Sequence, residues 1–268
     1  MERTDRTSPR DILTGTALVT GGTSGIGAEF ARQLAAQGCD LVLVARNAER
    51  LGSTADALRR EFRVSVETLS ADLGTDGGVA AVAERLLDPG RPVDILVNNA
   101  GHGLHTSLLA EDLSDHTEAF DVMIKAVFAL GNAAGRAMRG RGHGLIVNIA
   151  SVASFVNMGN YSAIKAWVRT WSGSLANELH GTGVRVMTLS PGWVRTEFHN
   201  RAGIRTSNIP DALWIDVRDL VRECLADVRA GKIRSVPSWR FKVIRALAHH
   251  GPLPWADAVA RRINRARS

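Results

Sequence analysis

Tyr161 and Lys165 stand four residues apart in Tyr161-Ser162-Ala163-Ile164-Lys165, at the head of a stretch, 161–181, that reads as a helix. Four residues is about one helical turn, so the two side chains share a face. A phenol has an ordinary pKa of about 10 and is a poor acid or base near neutrality. A neighbouring ammonium stabilises the phenolate and lowers that value, which suits the pair for proton transfer. Tyr161 is the only tyrosine in the chain. On an arbitrary helix such a pair would be packing plus a solvated charge. Here it comes after the fifth strand-like run, and that position favours chemistry.

A second chemical signature lies near the start, Thr20-Gly21-Gly22-Thr23-Ser24-Gly25-Ile26-Gly27. It sits between a strand-like run, Ala17-Leu18-Val19, and a helical stretch with Phe30, Ala31, Leu34 and Ala35 at helical spacing. Glycines on such a turn let a pyrophosphate approach the backbone and meet the free N–H groups of the helix. Gly21, Thr23, Ser24, Gly25, Ile26 and Gly27 are therefore candidate contacts to a dinucleotide. In an NAD site of this kind a carboxylate ends the second strand and binds the ribose 2′-hydroxyl. No acid occurs between Leu41 and Ala48; Arg46 stands there instead, with Asn47 next to it. A guanidinium suits a 2′-phosphate, so the spacing favours NADP over NAD.

The elements that must position these residues alternate. Strand-like runs fall at 16–20, 40–45, 64–69, 93–98, 144–150 and 184–189. Helical stretches fall at 25–37, 47–61, 75–87, 111–139 and 161–181, and a further amphipathic helix is expected at 216–230 before an edge strand at 233–236. That alternation predicts an α/β fold, a doubly wound parallel sheet of about seven strands with helices on both faces and a C-terminal helical extension. Ligands of such sheets bind outside the carboxyl ends of the strands. Each run gives way there to polar or glycine-rich residues: the glycine turn, Arg46-Asn47, Asp72-Leu73, Asn98-Asn99-Ala100-Gly101, Ser151, and Pro191-Gly192-Trp193. All collect on one edge.

With these pieces in view, the chain resembles the short-chain dehydrogenase/reductase family. The resemblance rests on TGGTSGIG at 20–27, NNAG at 98–101, YSAIK at 161–165 and PGWVRTEF at 191–198, in order and at family-like spacing over about 15–200. It implies a Rossmann-type fold and hydride transfer between a nicotinamide cofactor and a carbonyl or alcohol. By the resemblance Tyr161 is the acid/base, Lys165 binds the nicotinamide ribose and tunes Tyr161, and Ser151 polarises the substrate carbonyl, with Ser154 as the alternative. Asp72 and Leu73 would lie at the adenine and Asn98 would brace the sheet. Ala100, Gly101, Pro191, Gly192, Val194 and Thr196 would complete the cofactor contacts, Thr196 at the carboxamide. Two features depart from the family. Met123 stands where an asparagine is usual, and Ser151 and Tyr161 are ten residues apart, a few fewer than the family norm. Met123 is the basis of an alternative reading, a catalytically weakened NADP-binding regulator or scaffold.

On the substrate side, Phe155 and Met158 lie just past the fifth strand, and Trp193 and Phe198 just past the sixth. With His102, or else His105, they would line a mostly apolar pocket for a hydrophobic ketone or acyl substrate. A lid is expected at 190–215 and an amphipathic, basic helix from 239, which either caps the core or docks on a surface.

The 268 residues are 45% apolar, enough for one sizeable domain without disulfides. Cys39 and Cys224 lack metal spacing and read as reduced packing residues, which points to a cytoplasmic setting. Residues 1–11 are polar and expected to be flexible, and no apolar run reaches membrane-spanning length. The net charge is +6 and the pI near 10.1, but the arginines are scattered apart from a basic tail at 261–267. Without a recognition motif this reads as a solvated surface and not as a nucleic-acid site. The expected partners are a small-molecule substrate and, as in the family, a second or further copies, giving a homodimer or homotetramer through the helices at 111–139 and 161–181.

Overall fold

Runs such as Leu41-Val42-Leu43-Val44 have no polar alternation, so they make strands buried on both faces that need helices above and below. The computed structural model describes residues 11–195, 211 and 214–238. In it, β1 (Thr16–Thr20), β2 (Asp40–Ala45), β3 (Val66–Ser70), β4 (Ile95–Asn98), β5 (Gly144–Ile149), β6 (Val184–Leu189) and β9 (Arg234–Ser235) form one sheet. The order is β3-β2-β1-β4-β5-β6-β9 and every neighbouring pair is parallel. The edge strand expected at 233–236 is β9. A separate short ladder joins β7 (Trp193–Val194) to β8 (Trp214–Ile215). Strand order reverses beside β1, so the switch point opens between the carboxyl ends of β1 and β4.

Helices cover both faces. On one, Phe30 and Leu34 of α1 (Gly25–Ala35), Leu51 and Leu58 of α2 (Ala48–Phe62), and Leu220 and Cys224 of α7 (Val217–Arg229) pack with Ala17 and Val19 of β1. On the other, Val82 and Leu86 of α3 (Asp76–Leu87), Leu130 and Met138 of α5 (Ala126–Arg141), and Leu179 at the end of α6 (Asn160–Glu178) pack with Leu18. Neighbours along β1 thus take opposite faces, as the pleat requires. Cys39 and Cys224 are free and buried, as expected of packing residues, and burial pushes the Cys39 thiol up to about 11.

The helix expected over 111–139 is not continuous. It begins as α4 (Ser114–Phe120), passes through a π-helical turn at Asp121–Lys125, and resumes as α5. No residue of that turn is a helix breaker, so propensity alone does not account for its wider winding. Among the described residues no helix is long and apolar enough to cross a membrane. The expected lid falls mainly, and the C-terminal extension and basic tail wholly, outside the described residues, as do residues 1–10.

A buried polar chain fastens the sheet to α6. Asn98 Nδ2 donates to Asn148 Oδ1 across the β4–β5 register at 2.9 Å. Asn148 Nδ2 donates to Ser172 Oγ at 2.9 Å, and Ser172 Oγ donates to the Val168 carbonyl at 2.6 Å. Asn148 and Ser172 are wholly buried. Replacing Asn148 with alanine leaves Asn98 and Ser172 without their partner, which costs about 1–3 kcal/mol. Urea denaturation of Asn148→Ala is expected to show that loss; an unchanged midpoint would mean the chain contributes no net stability.

Candidate active site

Between β1 and α1 the backbone turns through Gly21 (φ +63°) and enters the helix at Gly25 (φ +53°), both left-handed. Thr20 holds this turn to the end of β4. Its Oγ1 donates to the Val97 carbonyl (3.2 Å) and accepts from the N–H groups of Asn99 (2.9 Å) and Ala100 (3.0 Å). Asn99 Nδ2 returns a hydrogen bond to the Thr20 carbonyl at 2.9 Å. A Cβ on Gly27 would lie 2.3 Å from the Gly21 carbonyl oxygen, so only glycine closes the turn. Ser24, the N-cap of α1, makes no side-chain cap bond, and the first turn carries no acid. The positive end of α1 is thus left for an external anion.

Along the same edge, Arg46 comes directly after β2 with a side chain 70% exposed, 3.8 Å from Glu118 Oε1 of α4. An exposed pair at that distance holds the guanidinium weakly. Asn47 is engaged in capping α2, its Oδ1 accepting from the Arg50 N–H at 2.7 Å. Arg50, which sequence reasoning did not single out, donates from Nε to the Thr23 carbonyl at 3.1 Å and so ties α2 to the glycine turn. Asp72 Oδ1 accepts from the Gly74 N–H at 3.0 Å, while Leu73 is buried under α3. Asn98 is taken up by the polar chain, its Nδ2 donating to Asn148 Oδ1. The Pro191 carbonyl accepts from Val152 N–H at 2.9 Å, Gly192 links it to β7, and Val194 is buried opposite Ile215. Thr196 and Phe198 lie outside the described residues.

At the head of α6 the structure brings Ser151, Tyr161 and Lys165 together. The short loop after β5 folds into a 3-10 turn, Val152–Phe155, capped by Ser151, whose Oγ accepts from the Ala153 N–H at 3.1 Å. The Ser151 hydroxyl is hydrogen-bonded to Tyr161. Ser154, the alternative, is buried with its hydroxyl unpartnered. Lys165 is buried, donates from Nζ to the Ile149 carbonyl at 3.0 Å, and lies 5.8 Å from the centre of the Tyr161 ring.

The electrostatics correct one expectation. The spacing of Tyr161 and Lys165 predicts a phenol below its ordinary pKa; burial instead pushes the Tyr161 hydroxyl up to about 12, only partly opposed by the hydrogen bond with Ser151. Lys165 is itself desolvated, which lowers its pKa to about 8. Burial outweighs mutual assistance, and the phenol stays protonated through the neutral range.

Met123 is fully buried in the π-helical turn, in a patch with Leu104, Ala119 and Ile164 against Tyr161. A Cβ on Gly101 would lie 2.9 Å from its sulfur and 3.9 Å from Lys165 Nζ. The thioether therefore presents an apolar wall beside the lysine. On the substrate side, His102 Nδ1 lies 3.1 Å from the Gly103 carbonyl, and its Nε2 is buried without a partner. Phe155 and Met158 are half-buried; the Arg169 guanidinium lies 4.9 Å over the Phe155 ring. Trp193 packs edge-on against Trp214, ring centres 6.3 Å apart.

Comparison with known proteins agrees with this geometry. Residues 15–205 match the family model of the short chain dehydrogenases. The chain belongs to the short-chain dehydrogenase family. Among its relatives, sulfoacetaldehyde reductase 2 of Chromohalobacter salexigens is 36% identical over 219 residues, 79% of this chain and 85% of the relative. A short-chain dehydrogenase from Sphingobium yanoikuyae in complex with NADPH superposes with a TM-score of 0.81 at 34% identity, covering 88% of this chain and 93% of the other. The bulky-bulky ketone specific alcohol dehydrogenase from Comamonas testosteroni gives 0.75 at 30%, covering 92% and 91%.

In this short-chain dehydrogenase the lysine carries a direct pH signature. Folded Lys165 titrates at about 8, against 10.5 for an ordinary lysine. Between those values the unfolded chain binds the proton more, so stability rises with pH across that window. The stability of wild type relative to Lys165→Met is therefore expected to increase between about pH 8 and 9.5 in urea titrations. A flat difference would mean the ammonium is not desolvated.

Proposed function

We propose that this short-chain dehydrogenase is an NADPH-dependent carbonyl reductase that delivers a hydride to a hydrophobic ketone. The observation that carries the reading is the Ser151 hydroxyl bonded to Tyr161 beside the buried Lys165. The glycine turn 21–27, with its uncapped helix end and no room for a side chain at Gly27, fits a pyrophosphate. Arg46 and Asn47 would face the 2′-phosphate, Asp72 and Leu73 the adenine, and Lys165 the nicotinamide ribose. Ala100, Gly101, Pro191, Gly192, Val194 and Thr196 would line the nicotinamide side. When bound, the cofactor would supply the hydride. Tyr161 donates its proton to the carbonyl oxygen as carbon gains the hydride, and Ser151 steadies that oxygen with its own O–H. At neutral pH the phenol is in the protonated form that a donor needs, though burial makes it a weaker acid than a free phenol.

The apolar character of Phe155, Met158 and Trp193 supports a hydrophobic substrate, and the likeness to a bulky-bulky ketone specific enzyme supports a bulky one. Phe128, half-exposed on α5, meets Trp171 edge-on, and Trp171 stacks on Trp167; this aromatic face of α5 and α6 is where we place a second copy of the chain.

NADPH oxidation against ketones and aldehydes of graded size tests the substrate class. Turnover is expected to rise with apolar bulk; preference for short charged aldehydes would overturn it. For the cofactor, Arg46→Ala is expected to weaken NADPH binding by about tenfold or more, as loss of a charge-assisted contact does, and to leave NADH binding nearly unchanged. Equal effects on both would remove Arg46 from the site.

A further inference from the structure

We propose that His116 is a positioning residue that fixes the first turn of α6, and with it Tyr161, through a hydrogen-bonded bridge to Asn160. The proposal rests on Tyr161 being the proton donor of the reduction. His116 lies on α4, far from Tyr161 in sequence, and is buried, with a relative exposure of 6%. Its Nε2 lies 2.9 Å from the Ser107 carbonyl and its Nδ1 2.9 Å from Asn160 Nδ2. A carbonyl only accepts, so Nε2 carries the proton; Nδ1 of the neutral ring then accepts from the Asn160 amide. Both ring nitrogens are satisfied, in one tautomer.

The start of α6 needs such an anchor. Its N-cap is Gly159 (φ 81°), which brings no capping side chain. The bond that closes the first turn, from the Ala163 N–H to the Gly159 carbonyl, is long at 3.5 Å. Asn160 is the first residue of the helix and precedes Tyr161 directly, yet its amide is turned away from its own backbone to His116. Ala119 and Met123, beyond His116 on the same helical segment, pack against Ile164 and Tyr161. The bridge therefore pins the open end of a contact whose other end is apolar. Through Ser107 it also holds the loop that leaves β4 and carries His102. A tyrosine free to drift by a fraction of an ångström loses its bond to Ser151 before it loses its fold, and misplacement on that scale slows proton transfer.

The test uses the uniqueness of Tyr161. In protein labelled with 13Cζ-tyrosine it gives one NMR resonance, read without substrate or turnover. His116→Ala is expected to shift that resonance, to lower kcat by about tenfold, and to leave the KM for NADPH within about twofold. His116→Asn places an acceptor where Nδ1 stands, so it restores the link to Asn160 and brings resonance and kcat back towards wild type. His116→Gln reaches Ser107 instead and does not. If His116→Ala folds poorly, Asn160→Ala removes the bridge from the other side and is expected to give the same shift. A wild-type resonance in both alanine variants, or equal losses in the asparagine and glutamine variants, would overturn the positioning role. Because the resonance needs no turnover, a wild-type protein that reduces nothing would contradict the reductase reading while leaving this test intact.

Discussion

The site depends on one constraint: the carboxyl ends of β1, β4 and β5 must be held in fixed relation to one another and to α6, although each is an irregular end where the ladder stops. Buried hydrogen bonds do this. Thr20 and Asn99 join the glycine turn to β4, and Asn98, Asn148 and Ser172 join β4 through β5 to the middle of α6. Lys165 adds a second strut, from α6 to the last carbonyl of β5. An unpaired polar group in these positions would cost more than the bond returns, so the network accepts only one arrangement. Precision at the edge of the sheet thus originates inside it.

The same burial shapes the chemistry. Lys165 is buried and Tyr161 is partly buried, with its hydroxyl desolvated, and loss of solvent disfavours charge on either group. The phenol is kept protonated and the amine is made easier to deprotonate. Met123 belongs to this picture: its sulfur extends the apolar surroundings against Gly101 beside the lysine. The Ser151 hydroxyl is the polar contact that works in the other direction, favouring the phenolate.

Much of this is legible from spacing. Uninterrupted aliphatic runs mark the strands, the glycines at 21–27 mark the turn after β1, and the pair at 161 and 165 marks the head of α6. The short loop after Ser151 does not prevent the serine from reaching Tyr161, because a 3-10 turn takes up the connection. The features that are not legible depend on contacts distant in sequence. Asn148 and Ser172 look like ordinary polar residues in a strand and a helix, and only the register of β4 against β5 pairs the first with Asn98. The π-helical turn has no propensity signal, since Asp121-Val122-Met123-Ile124-Lys125 would wind as well in an α-helix. His116 and Asn160 are 44 residues apart. The direction of the Tyr161 shift escapes the sequence because spacing reveals a charged neighbour but not the loss of solvent around both groups.

In the proposed reduction Tyr161 supplies the proton while other groups hold the cofactor. The most direct test is Tyr161→Phe, which removes one oxygen and keeps the ring. NADPH binding, monitored by fluorescence, and carbonyl reduction, monitored by NADPH absorbance, should be measured on the same preparation. Binding close to wild type and turnover reduced by at least about a hundredfold are expected. Turnover that survives the substitution would contradict it, since the proton would then come from another group.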